Sequence, residues 1–356
     1  MWWTKSADLP PLVTTSPAGT LQAQAGVLGQ TGTSVLFGGE EVDLGVRPGA
    51  RFTLGYWLSE CQDSGIEATY LFLGNRALNF NRTSANGDPI LARPFFNVET
   101  GLQDALLVAF PDVAIDSQIN VGLSNELQSL ELLSRDAIFQ QCGQRVDFLF
   151  GYRYSRFAER LAIDQAFTAG PGSQVLAEGT VVQASDVFGA SNEFHGLELG
   201  IAAQTQYCRW SLEGLAKVAL GGSRSRVAID GATTITVPGE TPVKTLGDLL
   251  AQPTNIGHYS QSNFSAIPEL GLTLGCNLTG RMRATFGYSL LYWSRVARPA
   301  DQIDVGKVAG ASNVNVNVNP SQFSGGPLTG VPSPQHRFIT TDYWAQGLTF
   351  GLDCRF

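Results

Sequence analysis

The chain has 356 residues, of which 40 are glycine, 15% are charged and 43% hydrophobic, and its 23 Lys+Arg against 31 Asp+Glu leave a net charge of −8. That composition excludes a disordered tail and a coiled coil, and the acidic balance offers nucleic acid no basic field. No run approaches the roughly 18 apolar residues of a membrane-crossing helix, and Met1-Trp2-Trp3-Thr4-Lys5 leads into no apolar secretory stretch, so export requires a leader already removed.

In chain order, residues 1–32 read as an N-terminal segment, periplasmic or associated with a lumen, and a first strand is expected at 34–38, running into 40–44. Four hairpins follow. Their strands are 51–59 and 65–74, 130–139 and 145–154, 194–205 and 210–220, and 264–274 and 281–292, with a last strand from 343 to 356. Period two carries these assignments. Across 281–292 the even positions are Met, Ala, Phe, Tyr, Leu and Tyr, whereas the odd ones are Arg, Arg, Thr, Gly, Ser and Leu. Each strand has about ten residues, the length of a tilted bilayer crossing.

The hairpin turns are short, and the connections between hairpins are long and rich in Gly, Pro, Ser and Asn, near 76–127, 162–192, 222–260 and 297–338. A soluble β-sandwich does not require that alternation, whereas an outer-membrane barrel has it by construction. The expected fold is therefore all-β: an antiparallel up-and-down transmembrane β-barrel of about ten strands over 33–356, with short periplasmic turns and long external loops. Residues 94–122 are too apolar for an ordinary exposed loop and either enter the lumen or cap the outer mouth, and 127–139 also reads as a possible helix start.

The blocks Trp2-Trp3, Pro10-Pro11-Leu12-Val13-Thr14-Thr15-Ser16-Pro17, Ala25-Gly26-Val27-Leu28-Gly29-Gln30, Val35-Leu36-Phe37-Gly38-Gly39, Gly55-Tyr56-Trp57-Leu58, Ala92-Arg93-Pro94-Phe95-Phe96-Asn97 and Gly151-Tyr152-Arg153-Tyr154 together resemble the planctomycete family of outer-membrane β-barrel proteins. The resemblance implies a barrel in the bacterial outer membrane with its signal peptide removed. It assigns no activity and no functional residue.

On the face opposite the greasy one lie Arg51, Glu67, Glu131, Arg135, Arg145, Asp147, Arg153, Glu198, Glu213, Lys217, Glu269, Arg281, Arg283, Asp353 and Arg355. This nearly balanced set reads either as a plug of ion pairs or as the lining of a selective pore. Hairpin pairing is expected to bring Arg51 near Glu67 and Glu131 near Arg145. Glu40, Glu41, Asp43, Asp88 and neighbouring acids form an expected acidic outer rim.

Cys61, Cys142, Cys208 and Cys276 sit at short turns and Cys354 near the terminus, so all five are expected at the periplasmic mouth. They read as intramolecular disulfides, with Cys276–Cys354 the most natural pair, as free thiols, or as an intermolecular link or metal site, zinc being poorly served without a CxxC or a histidine in any turn. Phe350, Leu352 and Phe356 share one face of the last strand and resemble the terminal signal read by barrel-assembly machinery. Ser191, Glu193 and His195 are close in sequence without a GxSxG elbow, so no enzyme, cofactor or metal is expected.

The expected partners are outer-membrane lipid, the assembly machinery and, through Gly/Ala-rich outer faces, a homo-oligomer or array. The expected role is structural or in envelope assembly, through wall and loops around a narrow or plugged lumen. A small porin for ions or solutes and a soluble β-sandwich binding module are the alternatives.

Overall fold

In the computed structural model, residues 1–306, 315–322 and 328–355 are described, and they are all-β apart from three single-turn 3-10 helices. Short strands dominate the first third: β1 (Trp2–Thr4), β2 (Ala7–Asp8), β3 (Val13–Thr15), β4 (Ser34–Phe37), β5 (Glu41–Val42), β6 (Gly49–Trp57), β7 (Ser64–Ser84), β8 (Leu91–Asn97) and β9 (Leu102–Ala109). Then come β10 (Ala114–Gln141), β11 (Gln144–Ala169), β12 (Val181–Tyr207), β13 (Trp210–Thr236), β14 (Val243–Leu246), β15 (Gly257–Asn277), β16 (Met282–Val296), β17 (Asn317–Val318) and β18 (Thr341–Cys354).

One large curled sheet runs in the order β1-β18-β16-β15-β13-β12-β11-β10-β7-β6, with β14 added beside β13. All its pairings are antiparallel; ten strands lie on that path and β14 makes eleven among the described residues. The segment expected as its first strand lies elsewhere: β4 and β5 belong to smaller sheets, and β1 takes the place beside β18. The turns are tight. At Cys142-Gly143 both residues have positive φ, +34° and +81°, the conformation whose twist matches a two-residue hairpin.

The strands are much longer than the bilayer length read from the sequence. β10 has 28 residues, β11 26, and β12 and β13 27 each. They consume much of what was expected as loop at 76–127, 162–192 and 222–260, and 127–139 is strand throughout. Between 297 and 338 the described residues do form a connection, holding the two-residue β17 and the single 3-10 turns Ala300–Gln302 and Pro320–Gln322.

Along the long strands β10 to β13 the amphipathicity inverts partway, which hides their upper parts from a search for one continuous apolar face. Near the turns the outward residues are apolar and exposed, as at Leu54 (76%), Phe264 (63%), Leu272 (55%) and Phe350 (76%). Further from the turns the outward positions become polar, as at Asn120, Ser124, Arg156 and Arg160, while the inward ones become apolar: Ile119, Val121, Leu123, Leu161 and Ile163 are all buried. The period stays two, but the greasy face changes sides.

What covers that inner apolar wall is a second, five-stranded sheet, β17-β8-β3-β4 with β9 beside β8. Leu12, Val13, Leu91, Phe95, Val108, Val316 and Val318 from this sheet and its approaches share one buried cluster with Ile119, Val121, Leu161, Phe188, Val227 and Ile229 of the wall. Phe95, Val108 and Ala109 thus pack inside the curl, while the turn at Glu99–Leu102 stands in solvent. Residues 1–32 likewise contribute β1 to the large sheet and β3 to the inner one.

The two edges of the large sheet meet at Trp2. Its strand pairs with β18 (Trp2 opposite Gly347), and on the other side the Trp2 and Arg47 amides each donate to the other's carbonyl, at 3.0 and 2.9 Å, just ahead of β6. Gly49 and Gly347 leave room for the indole, because a Cβ at either would stand about 3 Å or less from it. Nearer the turns, β6 and β18 share no inter-strand hydrogen bonds among the described residues.

Candidate functional site

Strand alternation sends Glu131 (β10), Arg153 (β11), Glu198 (β12), Lys217 (β13) and Glu269 (β15) to the concave face at one level, with Arg51 reaching in from β6. They form a knot of three carboxylates and three cations. Arg153 bonds Glu131 and Glu269 and lies 3.3 Å from Glu198. Lys217 bonds Glu131 and stands 3.5 Å from Glu198 and 3.7 Å from Glu269, and Arg51 reaches Glu269 at 2.5 Å. All but Arg51 are buried. Water cannot carry these charges here, so each must be neutralised by its neighbours.

The three glutamates bring carboxylate oxygens within 4.8 Å of one another, a donor set that suits a hard divalent cation. Three side-chain cations already contact that set, and a metal would have to displace them. The geometry is that of an ion-pair lock. It is imperfectly closed: neither oxygen of Glu198 nor Nε and Nη1 of Arg153 has a hydrogen-bond partner among the described residues.

Nearer the turns lies a second charged group. Arg135 bridges Glu67 (3.1 Å) and Asp147 (2.6 Å), Arg145 binds Asp147 (2.6 Å), and Arg283 sits between Asp353 (3.2 Å) and Glu213 (3.8 Å). The inner-face assignment from the sequence thus places most of these residues together, but several pairings differ. Arg51 faces Leu71 in register, not Glu67, and Glu131 faces Arg153, not Arg145. Turn length sets the register: the connection from Trp57 to Gly65 is longer than a tight turn, whereas Gln141 to Gln144 is two residues. Arg281 and Arg355 are exposed at the strand ends, outside both groups.

On the other side of the knot the concave face is aromatic. Trp2, Phe157, Phe194, Trp293 and Tyr343 are fully buried in one cluster with Leu71, Leu127 and Ile267; Phe157 and Tyr343 pack with centroids 4.1 Å apart, and Phe194 meets Trp293 edge-on. Beyond this layer three buried cations outside the sequence expectation bond residues of the wall, Arg93 from the inner sheet and Arg298 and Arg47 from segments flanking β16 and β6. Arg93 of β8 bonds Asp186 of β12 (2.6 Å) and Asp248 (2.5 Å), Arg298 forks onto Glu159 of β11 at 2.8 Å, and Arg47 bonds Asn125 and Thr4. Burial and the adjacent Asp186 raise the Asp248 carboxyl to about 7 against the pull of Arg93, and burial raises Asp301 to about 6. Their only sequence signal is an isolated charge in an apolar stretch, as in Leu91-Ala92-Arg93-Pro94-Phe95-Phe96.

The expected disulfides are not formed. Cys61, Cys142, Cys208 and Cys354 are exposed thiols and Cys276 is half-buried. Cys276 and Cys354 lie on β15 and β18 with β16 between them, and two strand spacings of about 4.8 Å exceed a disulfide's reach. All five do mark the turn end of the sheet. Phe350 and Leu352 face outward on β18, while Phe356 lies outside the described residues.

Ser191, Glu193 and His195 occupy alternate positions of β12 and share its outer face. Glu193 is held by Arg226 (3.0 Å) and His195 Nδ1 lies 2.5 Å from the Tyr152 hydroxyl. The strand's rise keeps Ser191 and His195 about 13 Å apart along the chain, too far for proton transfer.

No curated protein matches the sequence. Among solved structures the chain is similar to the outer membrane protease OmpT of Escherichia coli, at 9% identity and a TM-score of 0.45 over 100% of this chain and 96% of that one, a likeness too slight to carry an argument. A family model does match throughout, over residues 1–356, and the chain belongs to that family, described as "Putative beta barrel porin-7 (BBP7)".

Proposed function

We propose that the protein is a bacterial outer-membrane β-barrel with an obstructed lumen, serving as a structural or assembly element of the envelope and having no catalytic role. The outer face supports the membrane part of this reading. An apolar band runs over Phe52–Tyr56, Ile66–Phe72, Leu130–Leu132, Phe148–Tyr152, Leu197–Ile201, Phe264–Leu274 and Met282–Tyr292, with Tyr56, Trp57, Tyr207 and Trp210 near one margin and Tyr70, Tyr152, Phe264 and Tyr292 near the other. Aromatic margins about an apolar belt are what a bilayer's two interfaces select. The clasp of Trp2 between β18 and Arg47 supports closure of the sheet into a barrel.

One observation carries the obstruction: at bilayer height the concave face holds an ion-pair lock beside a fully buried aromatic layer, with the inner sheet beyond. Planar-bilayer recording tests it. The reconstituted protein is expected to add no steps of conductance at moderate voltage, and regular steps would overturn the obstructed reading.

A second reading has a specific support. The unpartnered polar atoms of Glu198 and Arg153 are groups that water satisfies, and the family description names porins. A small porin gated by movement of the inner sheet would therefore conduct when the Arg93–Asp186 and Arg93–Asp248 ties are broken, so conductance of an Arg93→Gln variant, with a silent parent, separates the two.

A further inference from the structure

The outer wall carries a basic patch that the lumen chemistry does not use. Register places Tyr154, His195, Gly222 and Phe264 in one row across β11, β12, β13 and β15, at the far margin of the apolar band. The next row is Arg156, Glu193, Arg224 and Ser262, then Ala158, Ser191, Arg226 and Ser260, then Arg160, Gly189, Ala228 and His258. Four arginines thus stand outward within three rows, facing only Glu193 and, on β10, Glu126. One row higher the wall turns acidic at Asp230. The patch is therefore a belt of positive charge on a molecule of net −8, confined to the height at which a bilayer's headgroups begin.

Three of these arginines line a shallow groove of about 580 Å³, with Arg160, Arg224, Arg226 and His258 about its walls, Ser191 and Ser260 between them, and Glu159, whose carboxylate is held by Arg298, beneath. Guanidiniums match phosphate oxygens two at a time, and hydroxyls fill the remaining acceptors. We infer that this groove binds the phosphate-bearing headgroup of a lipid in the leaflet on the long-strand side. The inference rests on the membrane reading above. A lipid is favoured over a soluble anion because the groove opens directly above Tyr154 and Phe264, where acyl chains would lie against the apolar wall while the headgroup meets the arginines.

The test is native mass spectrometry of the full-length chain released from phosphatidylcholine nanodiscs doped with phosphatidic acid. The parent is expected to retain phosphatidic acid over phosphatidylcholine, and Arg224→Gln/Arg226→Gln to lose that enrichment by about tenfold. Arg281→Gln/Arg355→Gln, which removes the same charge from the opposite rim, is expected to retain it. Heat-dependent gel migration confirms that each variant is folded. Equal loss in both variants would overturn the assignment, as would parent protein in nanodiscs with no preference. Full competition by millimolar inorganic phosphate would reassign the groove to a soluble anion. A parent that never enters nanodiscs would fail the membrane reading itself, a result distinct from insertion without lipid preference.

Discussion

Arg153→Met removes the cation at the centre of the ion-pair lock. The parent knot balances three positive charges against three negative ones; the variant leaves Arg51 and Lys217 against Glu131, Glu198 and Glu269, one buried carboxylate in excess. Removing one partner of a buried, hydrogen-bonded pair costs about 3–5 kcal/mol, most of it from the charge left behind. Glu198 is the carboxylate with the longest contacts, 3.3 and 3.5 Å, and no hydrogen bond of its own, so it is the one to neutralise. Arg153→Met/Glu198→Gln restores a two-against-two balance and is expected to recover at least about half of the loss, a coupling of about 2 kcal/mol. Denaturant unfolding in detergent, followed by tryptophan fluorescence and gel migration, measures all four corners of the cycle. A single-variant cost below about 1 kcal/mol, or strict additivity of the two changes, would refute the account of the knot as a desolvated, mutually neutralised cluster.

On the outer band, Leu272→Arg is expected to cost about 2–4 kcal/mol in folding into lipid vesicles, whereas Ser262→Arg on the same strand costs little; equal effects would contradict the depth assigned to the band. Asp248 and Asp301, raised to about 7 and about 6, bind protons more tightly folded than unfolded, where aspartate titrates near 3.9. Their contribution to stability is therefore fullest below about pH 4 and is lost as pH rises through 6 and 7. Asp248→Asn should flatten that part of the thermal-stability profile, and an unchanged profile would sink the idea. All five cysteines should label with maleimide in the folded, unreduced protein, Cys276 the slowest, as read by mass; a lasting block at Cys276 and Cys354 together would point to a bridge that the strand order forbids.

Much of the inner face could be read in the sequence, because period-two alternation alone decides which side of a strand a residue takes. Glu131, Arg153, Glu198, Lys217 and Glu269 were all assigned inward and do converge. Who touches whom could not be read. Register depends on turn length and on bulges such as the one between Ala137 and Phe139, and cross-sheet contacts such as Arg51 with Glu269 depend on curvature that no local pattern encodes. The upper strands were lost for a different reason: once the inner sheet supplies apolar contacts, Ile119 and Leu161 turn inward and Arg156 and Arg160 outward, so a search for lipid-facing grease finds none there. Arg93, Asp186 and Asp248 are invisible to local pattern because Arg93 lies 93 and 155 residues from its two partners.

Strand length also sets a height. A 28-residue strand is about 90 Å long at about 3.3 Å per residue, and at a tilt of about 40° it rises close to 70 Å, of which the hydrocarbon layer takes roughly 25 Å. About 40 Å of wall then stands clear of the membrane, several times the roughly 8–10 Å over which salt lets charges feel one another. The arginine belt at the membrane and the exposed acids beyond the far strand ends, Asp88, Asp112, Glu178 and Glu240, are thus electrically deaf to each other, whereas Asp43, expected on that rim, lies lower, near Arg47 and Arg76. Each end can meet a partner of its own charge preference, and substitutions at one should leave binding at the other untouched.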